Sequence, residues 1–194
     1  MRTYNGDFLR RGQLEALGVT CAGDDVLVHV SVVIINPEGL RIGNHVRIDP
    51  FSVLSATGRI ILADHIHIAS HCTLIGGGGI EVEDYAGVSH GARIFSAADD
   101  VSGRHMTGPT VPDATRAVHQ APVKLSRHVV VGTGAIIFPG VTIGEGSIVG
   151  ALSFVQEDIP PWAIWAGVPA KFIGPRRKDL LAFEPASNPS DTRE

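Results

Sequence analysis

The stretch that decides the fold spans residues 125–155 and reads LSRHVV VGTGAI IFPGVT IGEGSI VGALSF V. Each block of six opens with an aliphatic residue, and its fifth position is small or β-branched. The same frame starts upstream at Ile42, Leu62 and Val82, and extends backwards to Ala22. All the opening positions except Ala22 are Val, Ile or Leu. Ordinary strand alternation would not hold this phase across separate segments, so the repeat defines one architecture.

A six-residue period predicts a parallel β-helix. Each hexad supplies one short strand and one corner, three hexads close a triangular coil, and the coils stack at the ~4.8 Å spacing of paired strands. The opening aliphatic side chains point inward, while Gly, Asn and Asp supply corners with positive φ. The composition agrees, because 23 glycines and only 6% aromatic residues suit many turns around a thin aliphatic core. We therefore expect an all-β chain.

Short helices are expected at both ends of this solenoid. Residues 7–17 predict a helix capped by Asp7, and residues 176–184 predict a second one. The expected organisation is an N-terminal helical cap at 1–21, a β-helix domain at 22–175, and a C-terminal helix and tail at 176–194.

One long interruption breaks the pattern between Val82 and Leu125. Residues 97–121 have no hexad phase and are expected to form a loop that leaves the coil. A loop this long within a compact domain is usually functional or disordered. A purely structural solenoid has no use for it, so the interruption favours an enzyme.

Charge and composition exclude several functional classes. The formal net charge is −4, which argues against binding nucleic acid by bulk electrostatics. No apolar run approaches the ~20 residues of a membrane span, and the N-terminus lacks the apolar block of a secretory signal. Two cysteines do not make a disulfide framework. We expect a cytoplasmic protein without a membrane span.

The C-terminal coils carry the most specific motif. Residues 129–174, VVVGTGAIIFPGVTIGEGSIVGALSFVQEDIPPWAIWAGVPAKFIG, include GVPAK at 167–171. This segment resembles the hexapeptide-repeat acyltransferases, and the resemblance covers roughly residues 22–175. It implies a left-handed coil, acetyl-CoA as co-substrate without a metal, and a homotrimer whose loops cover shared sites. Residues 94–112, IFSAADDVSGRHMTGPTVP, are most similar to bacterial polysaccharide enzymes, which implies transfer to a hydroxyl or amine of a nucleotide-linked or polysaccharide sugar.

Direct acyl transfer from a thioester needs a base for the attacking group, and histidine is the natural base near neutral pH. We favour His119, because it lies where the loop rejoins the coil, with His90 as an alternative. Family members that this chain resembles often carry a catalytic histidine a few residues after a segment like ARIFSAADD. Here Asp99 and Asp100 stand in that place, so Asp99 is a further catalytic candidate. Asp100 and His105 are candidates for binding the acceptor.

The resemblance also points to a coenzyme A groove on the C-terminal coils. The matching positions are Thr133, Ala151, Ala166, Gly167 and Lys171. Their alternative role is only to turn corners, which holds for most glycines of a β-helix. Family members often have a basic residue where this chain has Glu157, and the run 176–178 could replace it.

Two other functions remain open from the sequence. The run HIHIASH at 65–71 suggests a metal lyase similar to the γ-class carbonic anhydrases, and a non-catalytic scaffold is the third possibility. Four rings at the fourth hexad position are expected to stack as a surface ladder on successive coils: His45, His65, Tyr85 and His128.

Overall fold

The computed structural model describes residues 7–21, 23 and 25–184, which form a parallel β-helix. Each coil passes through three faces in the same order, and the faces meet at three corners. We number the corners by the faces they follow: the first corner joins the first and second faces, the second corner joins the second and third, and the third corner returns to the first.

The first face is a nine-stranded sheet that is antiparallel only at its two end strands. Its strands are Phe8–Leu9, Val26–His29, Val46–Ile48, His67–Ile68, Gly87–Val88, Val130–Val131, Ile148–Val149, Ala163–Ala166 and Lys171–Pro175. The six-stranded second face consists of Val33–Ile35, Val53–Ser55, Thr73–Ile75, Arg93–Phe95, Ile136–Ile137 and Phe154–Val155. The six-stranded third face consists of Thr20–Cys21, Leu40–Ile42, Ile60–Leu62, Ile80–Val82, Val123–Leu125 and Thr142–Ile143.

The core is built from the opening residue of each hexad. On the first face Val28, Ile48, Ile68, Val88 and Val131 lie one above another in register. Each of them is at most 1% exposed. Full burial of such a side chain contributes ~1.5–3 kcal/mol relative to leaving it in water. The predicted hexapeptide-repeat β-helix is confirmed.

The N-terminal helix is shorter than its sequence predicts. It spans Arg11–Ala16, and Arg10 rather than Asp7 occupies its N-cap position. The residues before it are drawn away because Phe8–Leu9 pairs antiparallel with Val28–His29. Sheet pairing on the first face thus overrides the helical pattern of the first turn.

The C-terminal helix is also reduced. The structure has a 3-10 helix at Asp179–Phe183 within the predicted segment 176–184, and the tail from residue 185 onward lies outside the described residues. Two further 3-10 helices are Pro37–Gly39 and Asp113–Thr115.

The predicted loop leaves the coil at the second corner as a two-stranded arm, residues 97–121. Ala97–Asp99 pairs antiparallel with Val118–Gln120 at its base. The arm follows the second-face strand Arg93–Phe95 and leads into the third-face strand Val123–Leu125. The base of the arm is therefore ordered by strand pairing.

The predicted ring ladder is present along the third corner. His45, His65, Tyr85 and His128 stack with successive centroid separations of 4.6, 4.6 and 5.2 Å. All four have positive φ. Glu184 closes the C-terminal end of the ladder by contacting His128. This corner has a structural role.

Candidate active site

The first corner gathers four of the candidate residues in one line. Strand register carries Ile68 onto Val88, then onto Val131, Val149 and Trp165. The residues two positions after these strand residues form what we call the first-corner column: Ser70, His90, Thr133, Ala151 and Gly167. Backbone bonds tie its coils together, since the amide of Gly134 donates to the His90 carbonyl at 2.9 Å.

Glycines beside the column keep the coils close together. A Cβ on Gly132 would lie 2.6 Å from the Val149 carbonyl oxygen, and one on Gly150 would lie 2.7 Å from the Cβ of Ala166. These two glycines are therefore structural. Thr133 and Ala151, in contrast, are exposed at the edge, where small side chains leave room for a ligand.

The predicted coenzyme A residues lie together at the C-terminal half of this edge. Gly167 is exposed with φ +106°, and its amide donates to Ser153 Oγ at 3.1 Å. Ala166 precedes it in the last parallel strand of the first face, and the exposed Lys171 begins the strand that pairs back antiparallel. The structure thus joins all five positions into one edge.

His90 lies one coil from Thr133 in the same column. Its Nδ1 is 2.9 Å from Ser70 Oγ, and the ring is exposed. Ser89 precedes it, and Cys72 Sγ lies 3.1 Å from the Ser89 carbonyl oxygen. Burial raises the pKa of the Cys72 thiol to about 11. The thiol therefore remains protonated and inert at neutral pH.

The two arm carboxylates have different partners. Asp99 Oδ2 accepts a hydrogen bond from the Gly108 amide at 2.8 Å. Asp100 Oδ2 lies 2.7 Å from His105 Nδ1, and its Oδ1 accepts from the Ser102 amide at 2.8 Å. The hydrogen bond from His105, with those from Ser102, lowers the pKa of Asp100 to about 2. Asp100 is thus ionised and a weak base.

His119 lies opposite Ala98 in the arm, whereas Asp99 lies opposite Val118. Directly paired residues share a side of a two-stranded ribbon, so His119 and Asp99 project from opposite sides. The arm also leaves from the second corner, so within one chain His119 is not beside the coenzyme A positions. His119 does lie where the loop rejoins the coil, as the sequence predicts, and that place is the second corner.

The basic run proposed to replace a contact at Glu157 is already engaged. The Arg176 guanidinium donates to the carbonyls of His128 and Gly146 at 2.7 and 2.9 Å. Arg177 pairs with Asp179. The Lys178 ammonium lies 5.1 Å from the centre of the Trp162 ring. Arg176 and Lys178 thus fasten the C-terminal segment to the coil, whereas Arg177 is paired within that segment.

Two surface cavities lie away from the candidate residues, and a third, much smaller one is lined in part by Lys171. One of about 750 Å³ is lined at the third corner by residues that include Arg127, Glu145 and Pro161, and one of about 300 Å³ lies on the third face beside Ile61 and Lys124. Neither includes a residue of the first-corner column or the arm. A binding site on that column therefore needs residues from another surface to enclose the ligand.

The three histidines of HIHIASH lie apart and have different contacts. His65 lies in the third-corner ladder, His67 Nε2 contacts Asp49 at 2.8 Å, and His71 stacks on Phe51. Among the described residues no group of three His, Cys, Asp or Glu side chains is placed to hold a metal ion.

No helix in the described ranges is both long and apolar enough to cross a membrane.

Comparison with known proteins identifies the family. The chain is 38% identical to the dTDP-4-amino-4,6-dideoxy-D-glucose acyltransferase of Escherichia coli over 184 residues, 94% of this chain and 96% of that one. The chain belongs to the hexapeptide-repeat sugar acyltransferases. The enzyme is therefore an acyltransferase that acts on a sugar, and the metal-lyase and scaffold alternatives are not favoured. No protein-family model matches the chain.

Solved structures agree with this assignment. The acyltransferase matches AntD, an N-acyltransferase from Bacillus cereus, with a TM-score of 0.88 and 38% identity over 92% of this chain and 95% of AntD. One AntD variant was crystallised with dTDP-4-amino-4,6-dideoxyglucose and coenzyme A. The crystallised AntD variants replace either an aspartate or the serine that lies ten residues before that aspartate. A hexapeptide-repeat acetyltransferase from Vibrio cholerae, with 20% identity and a TM-score of 0.57 over 86% of this chain and 79% of its own, shares the fold.

Proposed function

We propose that the enzyme transfers an acyl group from acyl-CoA to the 4-amino group of a dTDP-linked 4-amino-4,6-dideoxyhexose. The observation that carries the proposal is that two relatives from different bacteria, one named for this sugar and one crystallised with it, match nearly the whole chain. The N-acyl assignment follows AntD, an N-acyltransferase. The acetyl group expected from sequence is one candidate, and 3-hydroxybutyryl, present in an AntD complex as its CoA thioester, is another.

The donor lies along the C-terminal half of the first corner. The small residues of this edge let the pantetheine arm approach the backbone, since Thr133, Ala151 and Gly167 are exposed and Ala166 is half-buried. Lys171, exposed at the end of this edge, contacts the nucleotide part of coenzyme A. His90, one coil from Thr133, then lies next to the thioester.

Ser89 and Asp99 are the counterparts of the serine and aspartate replaced in AntD. They are ten residues apart, as in AntD, and no other serine of this chain precedes an aspartate by ten. Ser89 lies at the first corner, whereas Asp99 lies in the arm at the second corner. If both act in one site, that site is built from two copies of the chain.

The second face provides the surface on which copies associate. Its outward side chains are mostly apolar, and Phe138 packs edge-on against Phe154 with centroids 4.9 Å apart. Val33 and Ile35 remain 52% and 46% exposed on the same face. The other apolar members are Val53, Ile75, Phe95 and Ile136. The first and third faces carry charged groups such as Arg47 and Lys124, whereas Arg93 is the charged side chain of the second-face strands.

A homotrimer explains both the apolar second face and the placement of Ser89 and Asp99 at different corners. When three copies turn their second faces toward a threefold axis, the first corner of each copy meets the second corner of the next. The arm of one subunit then covers the first-corner column of its neighbour. Each trimer has three identical sites, with Ser89 and His90 from one subunit and the arm from the other.

In this site the acceptor amine attacks the thioester carbonyl, a C–N bond forms, the C–S bond breaks, and coenzyme A leaves as its thiol. We assign the proton acceptor to Asp99, because AntD was studied with variants at the corresponding aspartate. The proton passes from the amine to Asp99 and then to the leaving thiolate. Ser89 lines the site beside His90, which is retained as the alternative base together with His119. Asp100 and His105 hold the arm next to the acceptor.

The proposed compartment is the cytoplasm. Cys21 and Cys72 are buried and free, as is usual in a reducing environment. Acyl-CoA and nucleotide-linked sugars are also available there as soluble substrates.

Release of the coenzyme A thiol tests the proposed reaction. The purified enzyme is incubated with acetyl-CoA or 3-hydroxybutyryl-CoA and dTDP-4-amino-4,6-dideoxyglucose, and mass spectrometry locates the acyl group. We expect an amide at the 4-amino group and no product with dTDP-glucose, which offers hydroxyls only. Absence of thiol release with both donors contradicts the proposal, and an ester product from dTDP-glucose would show O-acyl transfer instead.

A further inference from the structure

The first corner carries a second feature toward its N-terminal end, a stack of two rings. Phe51 and His71 lie on neighbouring coils with ring centroids 5.2 Å apart and planes inclined by 25°. The His71 amide donates to the Pro50 carbonyl at 3.1 Å, which fixes the two coils against each other. The rings are therefore held in place by the coil.

Phe51 places an exposed aromatic ring at the turn of the first corner. Its φ is +63°, a region that Gly, Asn, Asp and His adopt more readily than a bulky side chain. The ring is nevertheless 61% exposed. Positive φ recurs at this place on later coils, as at His71 and Leu152, so it belongs to the corner itself. The distinctive feature is the exposed ring, because a side chain left in water buries little apolar surface and contributes little to folding.

The stack differs from the ladder on the third corner. That ladder continues over four coils and ends against Glu184. On the first corner the ring sequence stops after His71, because Gly91 takes the equivalent position on the next coil. A Cβ built on Gly91 would meet no atom within 4 Å, so the space beside His90 is open. The ring pair thus ends at the proposed transfer centre.

We propose that Phe51 and His71 form a stacking platform for the pyrimidine base of the acceptor nucleotide. This inference rests on the proposed function, because it requires a nucleotide-linked acceptor. Acyl-CoA occupies the coils on the C-terminal side of His90, which leaves the N-terminal coils for the acceptor. The base and the reacting amine of such a substrate are separated by a ribose, a diphosphate and a sugar ring. The base therefore binds more than one coil away from the transfer centre, and Phe51 lies two coils from His90, ~10 Å along the axis.

Stacking of a base on an aromatic side chain tolerates different bases and changes affinity by roughly tenfold or more. Removal of the Phe51 ring should therefore weaken binding of the nucleotide part without changing the donor site. Phe51→Asn is the variant of choice, because asparagine accepts positive φ and keeps the corner intact. Phe51→Tyr retains a ring and should restore affinity. Phe183→Ala removes another exposed phenylalanine, 85% exposed and outside this corner, as a matched control.

The experiment measures inhibition of the intact enzyme by dTDP alone, together with KM for each substrate and the sedimentation coefficient. We expect Phe51→Asn to weaken dTDP inhibition and raise KM for the dTDP-sugar about tenfold, while KM for acyl-CoA and the assembly state match those of Phe183→Ala. Unchanged inhibition in Phe51→Asn overturns the platform but leaves the proposed function standing. Dissociation of the trimer by Phe51→Asn also overturns it, because the ring would then be a subunit contact. A wild-type enzyme that neither binds dTDP nor releases thiol overturns the proposed function and this inference with it.

Discussion

The amide of Gly108 donates a hydrogen bond to the Asp99 carboxylate at 2.8 Å, nine residues further along the arm. This bond folds the arm back on its own base and fixes one carboxylate oxygen, while the other remains available to a substrate. Asp99 is therefore both an anchor of the arm and the proposed proton acceptor.

Asp99→Asn keeps the side-chain size and the acceptor for Gly108 but removes the basic oxygen. We expect kcat to fall roughly 100-fold or more, because a positioned base typically contributes that much, with KM for acyl-CoA unchanged. Steady-state thiol release measures both constants. Asp113→Asn, which changes an exposed carboxylate elsewhere in the arm, is the matched control and should retain most of kcat. An Asp99→Asn enzyme with near wild-type kcat would move the base to His119 or His90, which His119→Ala and His90→Ala then distinguish.

Mixed trimers test whether Ser89 and Asp99 meet across a subunit boundary. Ser89→Ala and Asp99→Asn are each expected to be impaired, yet every mixed trimer contains one site with both native residues. Random exchange between equal amounts should restore roughly a quarter of wild-type activity. The measurement is thiol release after the two variants are unfolded and refolded together, with each refolded alone as control. No gain on mixing would show that the two residues do not form one shared site.

The edge beside Ala151 predicts a steric block of the donor. Ala151→Tyr adds a ring where the pantetheine arm is proposed to lie, so KM for acyl-CoA should rise at least tenfold while the melting temperature changes little. Glu145→Tyr adds the same ring at the third corner that leads into the coil of Ala151, and its KM should remain that of the wild type. Equal KM values for the two variants, measured by thiol release, would contradict the proposed donor groove.

The apolar second face predicts where the subunits of the trimer contact each other. Phe138→Asp places a charge within the apolar surface that includes Phe154, so burial against another copy would leave that charge unpaired. We expect the trimer to dissociate at micromolar concentration in sedimentation velocity. Ile61→Asp changes a half-buried aliphatic residue of the third face and should leave the trimer intact. A stable trimer in Phe138→Asp would locate the interface elsewhere.

The Asp100–His105 pair gives a prediction for acid conditions. A carboxyl pKa lowered to about 2 in the folded state stabilises the arm fully above the unfolded value of ~4. That contribution is lost as the pH falls from ~4 to about 2. His105→Ala should raise the pKa of Asp100 toward ~4, as followed by NMR titration of the side-chain carboxyl carbon. A pKa unchanged in His105→Ala would mean that Ser102 alone holds the carboxylate.

The sequence was sufficient for the coils because each hexad repeats one local rule. An aliphatic residue such as Ile94 opens the block and a corner residue closes it, so the fold follows from short-range pattern alone. The ends were less predictable, because the sheet pairing that takes Phe8–Leu9 from the first helix depends on a strand some twenty residues away. Local periodicity contains no information about such a contact.

The candidate site was predicted in parts rather than as a whole. The hexad spacing places Thr133 and Ala151 at the same position of successive coils, and Gly167 begins the GVPAK motif. The donor edge was therefore predictable. The corner from which the arm leaves follows from counting strands, but the opposite projection of Asp99 and His119 depends on hairpin register, which loop sequence does not specify. Phe51 was not predicted, although it holds the same corner position as His71 one coil earlier.

The column at the first corner has a consequence for how specificity can change. In a solenoid each coil contacts mainly its neighbours, so a block of coils can be exchanged when the junction register is kept. The proposed contacts with the acceptor base come from the N-terminal coils, whereas the donor contacts come from the C-terminal ones. A chimera joined at the third corner between Val82 and Gly87 would recombine the nucleotide preference of one enzyme with the acyl preference of another. Modular inheritance of this kind allows a family to diversify its products by shuffling rather than by redesigning a single pocket.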